Sequence, residues 1–204
     1  MSALEQSIVA GAFADPVHDT QRTFAALMQV MSRPGRVECI ASPAMGPQPL
    51  YATTAALLQT LADADTPVWF DHASDGDAVR GWLSFQTGAP LADGHGEAAF
   101  AVIADAKKLP PLSMFALGSQ EYPDRSTTLL VQVPSLDASE ALALRGPGIA
   151  ATALLNVEGL PTGFRAAWAQ NNALFPRGVD VVLLAPDSIA GLPRTTRLKA
   201  MEAA

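Results

Sequence analysis

Apolar positions along this chain follow two rhythms, and the rhythms alternate. Over residues 20–33, TQRTFAALMQVMSR, the side chains Phe24, Leu27, Met28 and Met31 fall at i, i+3, i+4 and i+7, which predicts a helix with those four facing inward. Asp19 or Thr20 is the expected N-cap and Pro34-Gly35 the stop. Residues 36–41 then alternate as a strand does. A second helix is predicted over about 53–61, with Leu57, Leu58 and Leu61 inward, leading through DADTP into the strand PVWFDH. Asp75 is placed to cap a third helix that turns Val79, Trp82 and Leu83 to the core.

The second half repeats the pattern less regularly. AAFAVIAD, 98–105, reads as a buried strand, whereas 107–126 carries three prolines and no period beyond one helical turn near 112–117. TTLLVQVPSL and ALALRGPGI read as paired strands joined by a turn around Asp137. A helix over about 162–174 precedes the strand VDVVLLAP, and IAGLPRTTRL is expected to close the chain as an edge strand. Helices and strands therefore interleave, and one late pair is antiparallel. That predicts a single domain over 1–204, a three-layer αβα arrangement around a mixed central sheet.

Composition narrows the function. A chain of 204 residues buries roughly 70% of its unfolded surface and needs neither metal nor disulfide to fold. Its single cysteine, Cys39, fits a reducing, cytoplasmic setting and is expected as a small buried side chain rather than a catalytic thiol. Glu5 stands where a secretory signal wants positive charge, and no apolar run approaches the ~18 residues of a membrane span. With a net charge of −7 and three lysines against ten arginines, the chain is no phosphate-backbone binder, so neither nucleic acid nor membrane is an expected partner.

The chemistry-bearing residues are sparse. His18, His72 and His95 are scattered without metal-ligand spacing, and Asp71, Asp75 and Asp77 lack the glutamate and glycine positions of a calcium loop, so no metal is expected. No nucleophile elbow or phosphate loop occurs, and no catalytic residue is assigned. Three stretches remain. RGPGI offers Gly146 and Gly148, a sharp turn that can expose N–H groups to an anion, although a plain turn is the favoured reading. In LPRTTRL, strand alternation would put Arg194 and Thr196 on one face and Thr195 and Arg197 on the other. In FPRGVDVVL, Arg177 and Gly178 lead into a strand bearing Asp180, which needs a partner if buried; Arg177, Arg194 and Arg197 are the candidates. A structural ion pair is favoured there over a ligand site. The candidate anion contacts are thus Arg177, Arg194, Arg197, Gly146, Gly148 and Asp180.

Seven stretches taken in order resemble one known family. FAALMQVMSRPGRV, LLQTLADADTPVWF, LSFQTGAPL, TTLLVQVPSL, LRGPGI, LFPRGVDVVLLAP and LPRTTRL, spread over about 20–198, are similar to PhnH, the H subunit of the carbon–phosphorus lyase core complex of bacterial phosphonate metabolism. The resemblance implies a homodimer with a fold like that of pyridoxal-phosphate transferases but without the cofactor. It also implies assembly with the G, I and J subunits, which convert a nucleoside triphosphate such as ATP and an alkylphosphonate into a ribose 1-alkylphosphonate 5-triphosphate. The radical cleavage step belongs in that family to the J subunit. The residues agree on two counts: Lys107, Lys108 and Lys199 lack the surroundings of a Schiff-base lysine, and one thiol cannot hold an iron–sulfur cluster. The expectation is a non-radical subunit acting by assembly, with a small-anion or nucleotide site as the alternative.

Overall fold

The computed structural model describes residues 3–40, 44–137 and 141–199. Five helices are described: α1 (Ala3–Val9), α2 (Pro16–Ser32), α3 (Ala52–Leu61), α4 (Asp77–Thr87) and α5 (Phe164–Ala173). The nine strands are β1 (Val37–Cys39), β2 (Val68–Phe70), β3 (Phe100–Ile103), β4 (Thr128–Gln132), β5 (Ala141–Arg145), β6 (Ala153–Asn156), β7 (Asp180–Leu184), β8 (Ser188–Leu192) and β9 (Arg197–Leu198). Six of them form a mixed sheet in the order β1-β8-β7-β4-β3-β2, and three form a small antiparallel sheet, β6-β5-β9. In the large sheet β2, β3, β4 and β7 run parallel, and β8 is antiparallel to both its neighbours.

Parallel strands are covered on both faces, so β4 and β7 read as continuous apolar runs with every position past the first buried. Alternation still divides them. Val68, Phe70, Val102, Leu130 and Val182 meet Leu27, Val30, Leu57, Leu58, Trp82 and Leu83 of α2, α3 and α4. Ala101, Ile103, Leu129, Val131, Val181 and Leu183 face the other way, onto Leu142, Leu144 and Leu155 of the small sheet and Phe164 and Trp168 of α5. The mixed central sheet flanked by helices is as expected, but the third layer differs from a purely helical one. It is a three-stranded sheet with one helix beside it.

Helix α2 begins four residues earlier than the pattern predicts. Asp15 is its N-cap, accepting from the His18 N–H, and Pro16 fills the first turn, where a missing N–H costs nothing. Its buried line is also rotated: Asp19, Thr23, Leu27 and Val30 face in, while Phe24 and Met28 are half exposed. The cause lies on the strand beneath. A Cβ at Gly191 of β8 would sit 2.6 Å from the Val30 carbonyl oxygen, so the helix backbone lies directly on the sheet. Small and short side chains suit that approach; a phenylalanine does not. Asp19, buried in the first turn of the helix, accepts from the Asp15 N–H at 2.9 Å and pairs with Arg22.

Four further expectations are corrected, and a fifth runs outside the described residues. Strands β4 and β5 do not pair; β4 lies between β3 and β7, and β5 between β6 and β9. The turn expected around Asp137 runs into residues 138–140, which lie outside the described ones. IAGLPRTTRL is two strands: β8 is interior to the large sheet, β9 borders the small one, and a turn at 193–196 separates them. Cys39 is exposed, on the edge strand β1. The cap of α4 is Gly76, and Asp75 instead pairs with Arg80. Among the described residues no helix is long and apolar enough to cross a membrane.

The rotated face of α2 is testable by equilibrium urea unfolding. Leu27→Ala should cost about 2–4 kcal/mol, the range for a buried leucine. Met28→Ala, one residue on, should stay within about 0.5 kcal/mol in a monomeric background, as surface changes do. Equal losses at both positions would contradict the register described.

Candidate anion site on the small sheet

Open α/β sheets usually hold ligands at the carboxyl ends of their parallel strands. Here that end is closed by the chain itself. Gln132, at the end of β4 and 2% exposed, accepts through Oε1 from the Tyr51 N–H and the Thr54 hydroxyl, each at 2.7 Å. It thereby ties the start of α3 to the end of β4. Its Nε2 donates to the Pro49 carbonyl at 3.0 Å. The Thr53 hydroxyl donates to the Ala185 carbonyl at 2.6 Å, at the end of β7. After β2, Asp71 accepts from the Ser74 N–H at 2.9 Å and the Ala104 N–H at 3.0 Å.

The acidic group around that turn is occupied in the same way. Asp75 takes Arg80 on both oxygens, and the Arg80 hydrogen bonds hold its carboxyl below the usual range. Among the described residues no three His, Cys, Asp or Glu side chains gather as metal ligands. His95 lies against the Trp69 ring, 4.5 Å between centroids.

The charge in FPRGVDVVL finds its partner in LPRTTRL. Asp180, the first residue of β7, accepts from the Arg194 backbone N–H at 2.7 Å and from the guanidinium at 2.5 Å and 3.2 Å. The remaining donors of Arg194 reach the Pro123 carbonyl at 2.8 Å, the Pro176 carbonyl at 3.3 Å and the Ser126 hydroxyl at 2.5 Å. Both side chains are mostly buried, 12% and 19% exposed. Every face of this arginine is committed within the chain, which is how a desolvated guanidinium is tolerated.

The clamp fixes the segment that follows. Asn172 donates to the Arg194 carbonyl at 2.7 Å, Trp168 donates to the Thr196 carbonyl at 2.8 Å, and the Thr196 N–H closes a turn on Pro193. The expected face split holds although the backbone is a turn rather than a strand. Arg194 turns to Asp180 and Thr196 is buried, while Thr195 and Arg197 point together into a pocket.

That pocket is half open, has a volume of about 400 Å³, and is lined by Arg145, Gly146, Pro147, Asn172, Phe175, Thr195, Arg197, Leu198 and Lys199. Its lining holds three cationic side chains and no acid. Arg145 and Arg197 are direct partners across the antiparallel β5–β9 ladder, and the Lys199 N–H continues that ladder to the Ala143 carbonyl. Arg145 is steadied through its Nε, which donates to the Thr152 hydroxyl at 3.2 Å. Among the described residues none of the three cations has an ion-pair partner.

Of the six residues singled out from sequence, Arg197 and Gly146 line this pocket, and Arg194 and Asp180 form the clamp beside it. Gly148 serves packing: a Cβ there would lie 2.0 Å from the Ser32 carbonyl oxygen. The RGPGI turn closes on itself, with the Ile149 N–H donating to the Gly146 carbonyl. Arg177 lies in the turn between α5 and β7, outside the pocket. Arg145 and Lys199 were missed. The first stands in RGPGI, but only pairing with β9 sets it beside Arg197; the second is weighed from sequence only as a Schiff-base lysine.

Comparison with known proteins finds likeness along nearly the whole chain. A protein-family model described as "Bacterial phosphonate metabolism protein (PhnH)" matches residues 11–199. The subunit PhnH of alpha-D-ribose 1-methylphosphonate 5-triphosphate synthase from Rhizobium meliloti (strain 1021) is 43% identical over 195 residues, covering 96% of this chain and 98% of that one. A protein of Stutzerimonas stutzeri named "Putative C-P lyase subunit protein HtxG" is 34% identical over 178 residues, covering 87% and 85%.

The clamp sets an expected stability loss. Arg194→Ala should lower the unfolding free energy by about 3–5 kcal/mol, because Asp180 stays buried without its charge partner. Arg194→Lys should recover only part of it, since an ammonium cannot fork onto a carboxylate. A loss below about 1 kcal/mol on urea denaturation would contradict the description of the pair as structural.

Proposed function

The chain belongs to the PhnH family, and from that premise we propose that it is a non-radical subunit of an alpha-D-ribose 1-alkylphosphonate 5-triphosphate synthase, acting chiefly by assembly. The observation that carries this is the likeness to the Rhizobium meliloti subunit, which runs nearly the full length of both chains. The closed strand ends support the assembly role, because the usual ligand crevice of such a sheet is taken by Gln132, Thr53 and Asp71. The partners in this reading are the G, I and J subunits that the family resemblance implies, in the cytoplasm.

The same reading includes a homodimer. The exposed side of α2 carries Val17, Phe24 and Met28, 74%, 48% and 50% exposed, with uncharged Gln21, Ala25 and Gln29 among them. A two-fold interface sets like groups against one another, so an uncharged apolar face suits it in a chain of net charge −7. The fold likeness to pyridoxal-phosphate transferases stays part of this proposal, without the cofactor. Lys107, Lys108 and Lys199 are all exposed: the first two lie in the turn that follows the carboxyl end of β3, and Lys199 follows β9.

Two measurements test the reading. Co-expression with the G, I and J subunits should yield a complex containing this chain, and phosphonate-dependent release of adenine from ATP should fail without it. Turnover by this chain alone, abolished by a point change, would replace assembly with catalysis. Sedimentation of the isolated chain should give a dimer that Phe24→Asp converts to a folded monomer; an unchanged dimer would move the interface elsewhere.

A further inference from the structure

We propose that the pocket between β5, β9 and the end of α5 binds the triphosphate group of a sugar or nucleoside 5-triphosphate. Two arginines opposite each other on an antiparallel ladder repel, and nothing in the pocket lining offsets them. Both side chains are exposed, so water screens much of that repulsion, and a bound polyanion would remove the rest. Arg197 and Lys199 both line the pocket, two residues and roughly 7 Å apart at the rise of a strand, with Arg145 across from the first. A row of that length fits an extended chain of phosphates better than a single phosphate or carboxylate.

The rest of the lining fits an ester of that anion. With its Nε held by Thr152, Arg145 keeps the two terminal nitrogens of its fork for phosphate oxygens. Thr195 adds a hydroxyl. Phe175, 59% exposed, offers a ring face at the rim for the sugar or base. A volume of about 400 Å³ accommodates a ligand of that size. Arg194 takes no part, because its donors are spent on Asp180, Ser126, Pro123 and Pro176. The choice of a triphosphate ester over other polyphosphates rests on the synthase reading above; the cationic row itself does not.

Calorimetric titration of the purified full chain with inorganic triphosphate, ATP and inorganic phosphate tests this at about 0.15 M salt, where loose surface attraction is screened. Triphosphate and ATP should bind saturably, with inorganic phosphate at least roughly ten-fold weaker. Arg145→Ala and Arg197→Ala should each weaken triphosphate by about 10- to 100-fold, the range for charge-assisted bonds. Neither should lower the melting temperature of the free protein, since each removes a repulsion. ATP binding tighter than triphosphate, with the excess lost in Phe175→Ala, would support the proposal with a nucleoside source; equal affinities would support it with a ribosyl source. Triphosphate no tighter than phosphate would overturn it. Unchanged triphosphate binding in Arg197→Ala, with association to the other subunits lost instead, would also overturn it and make the pocket a protein-docking surface. Because the titration uses the isolated chain, failure of the assembly reading would leave inorganic triphosphate binding intact.

Discussion

The third layer of this fold depends on one ion pair. Asp180 and Arg194 come from the start of β7 and the turn after β8, and between them they reach Pro123, Ser126 and Pro176 in two further loops. Such a pair repays its desolvation only when its remaining donors and acceptors are met as well. Here they are, and the consequence is positional. With Arg194 held on the large sheet, the chain leaves toward the small sheet in one direction only. Thr195, Arg197 and Lys199 inherit that direction. The Asn172 and Trp168 bonds to the Arg194 and Thr196 carbonyls then lock α5 to the same segment.

Much of this was legible in residues, and what was not has identifiable reasons. Asp180 announced itself as a charge at the mouth of a buried strand, and its partner was one of the three arginines that sequence put forward. Strand existence was likewise readable in PVWF, AAFAVI, TTLLVQ and VDVVLL. Pairing was not, although a signal existed: β4 is an unbroken buried run, whereas β5 alternates buried and half-buried positions. A strand buried on both faces and a strand buried on one belong in different sheets. Sequence order suggested a hairpin and burial pattern argued against it.

Helix α2 failed for a different reason. Its strongest apolar stripe, Phe24 and Met28 with Leu27 and Met31, gives the best helical period in the chain, and half of it points outward. Periodicity measures which side chains share a face, not whether that face meets this chain or another. The close approach at Gly191 decides the matter, and no local pattern in α2 encodes it. The mismatch is informative in itself. Large apolar side chains left outside while Asp19 and Thr23 are buried are what the dimer face proposed above would require.

The candidate pocket follows the same logic with charge in place of apolar surface. An acidic chain solves its solubility by spreading carboxylates, and some of its cations find them: Arg22, Arg36, Arg80, Lys108 and Arg194 do. Arg145, Arg197 and Lys199 do not, and they stand together on a ladder that places two of them face to face. Folding alone has no use for that arrangement, because a glutamate at any of the three positions would relieve it. Such a pair is what the triphosphate site proposed above would use. The large sheet has filled its own ligand crevice, and the pocket with a cationic lining lies instead on the small sheet, on the layer that the Asp180–Arg194 pair orients.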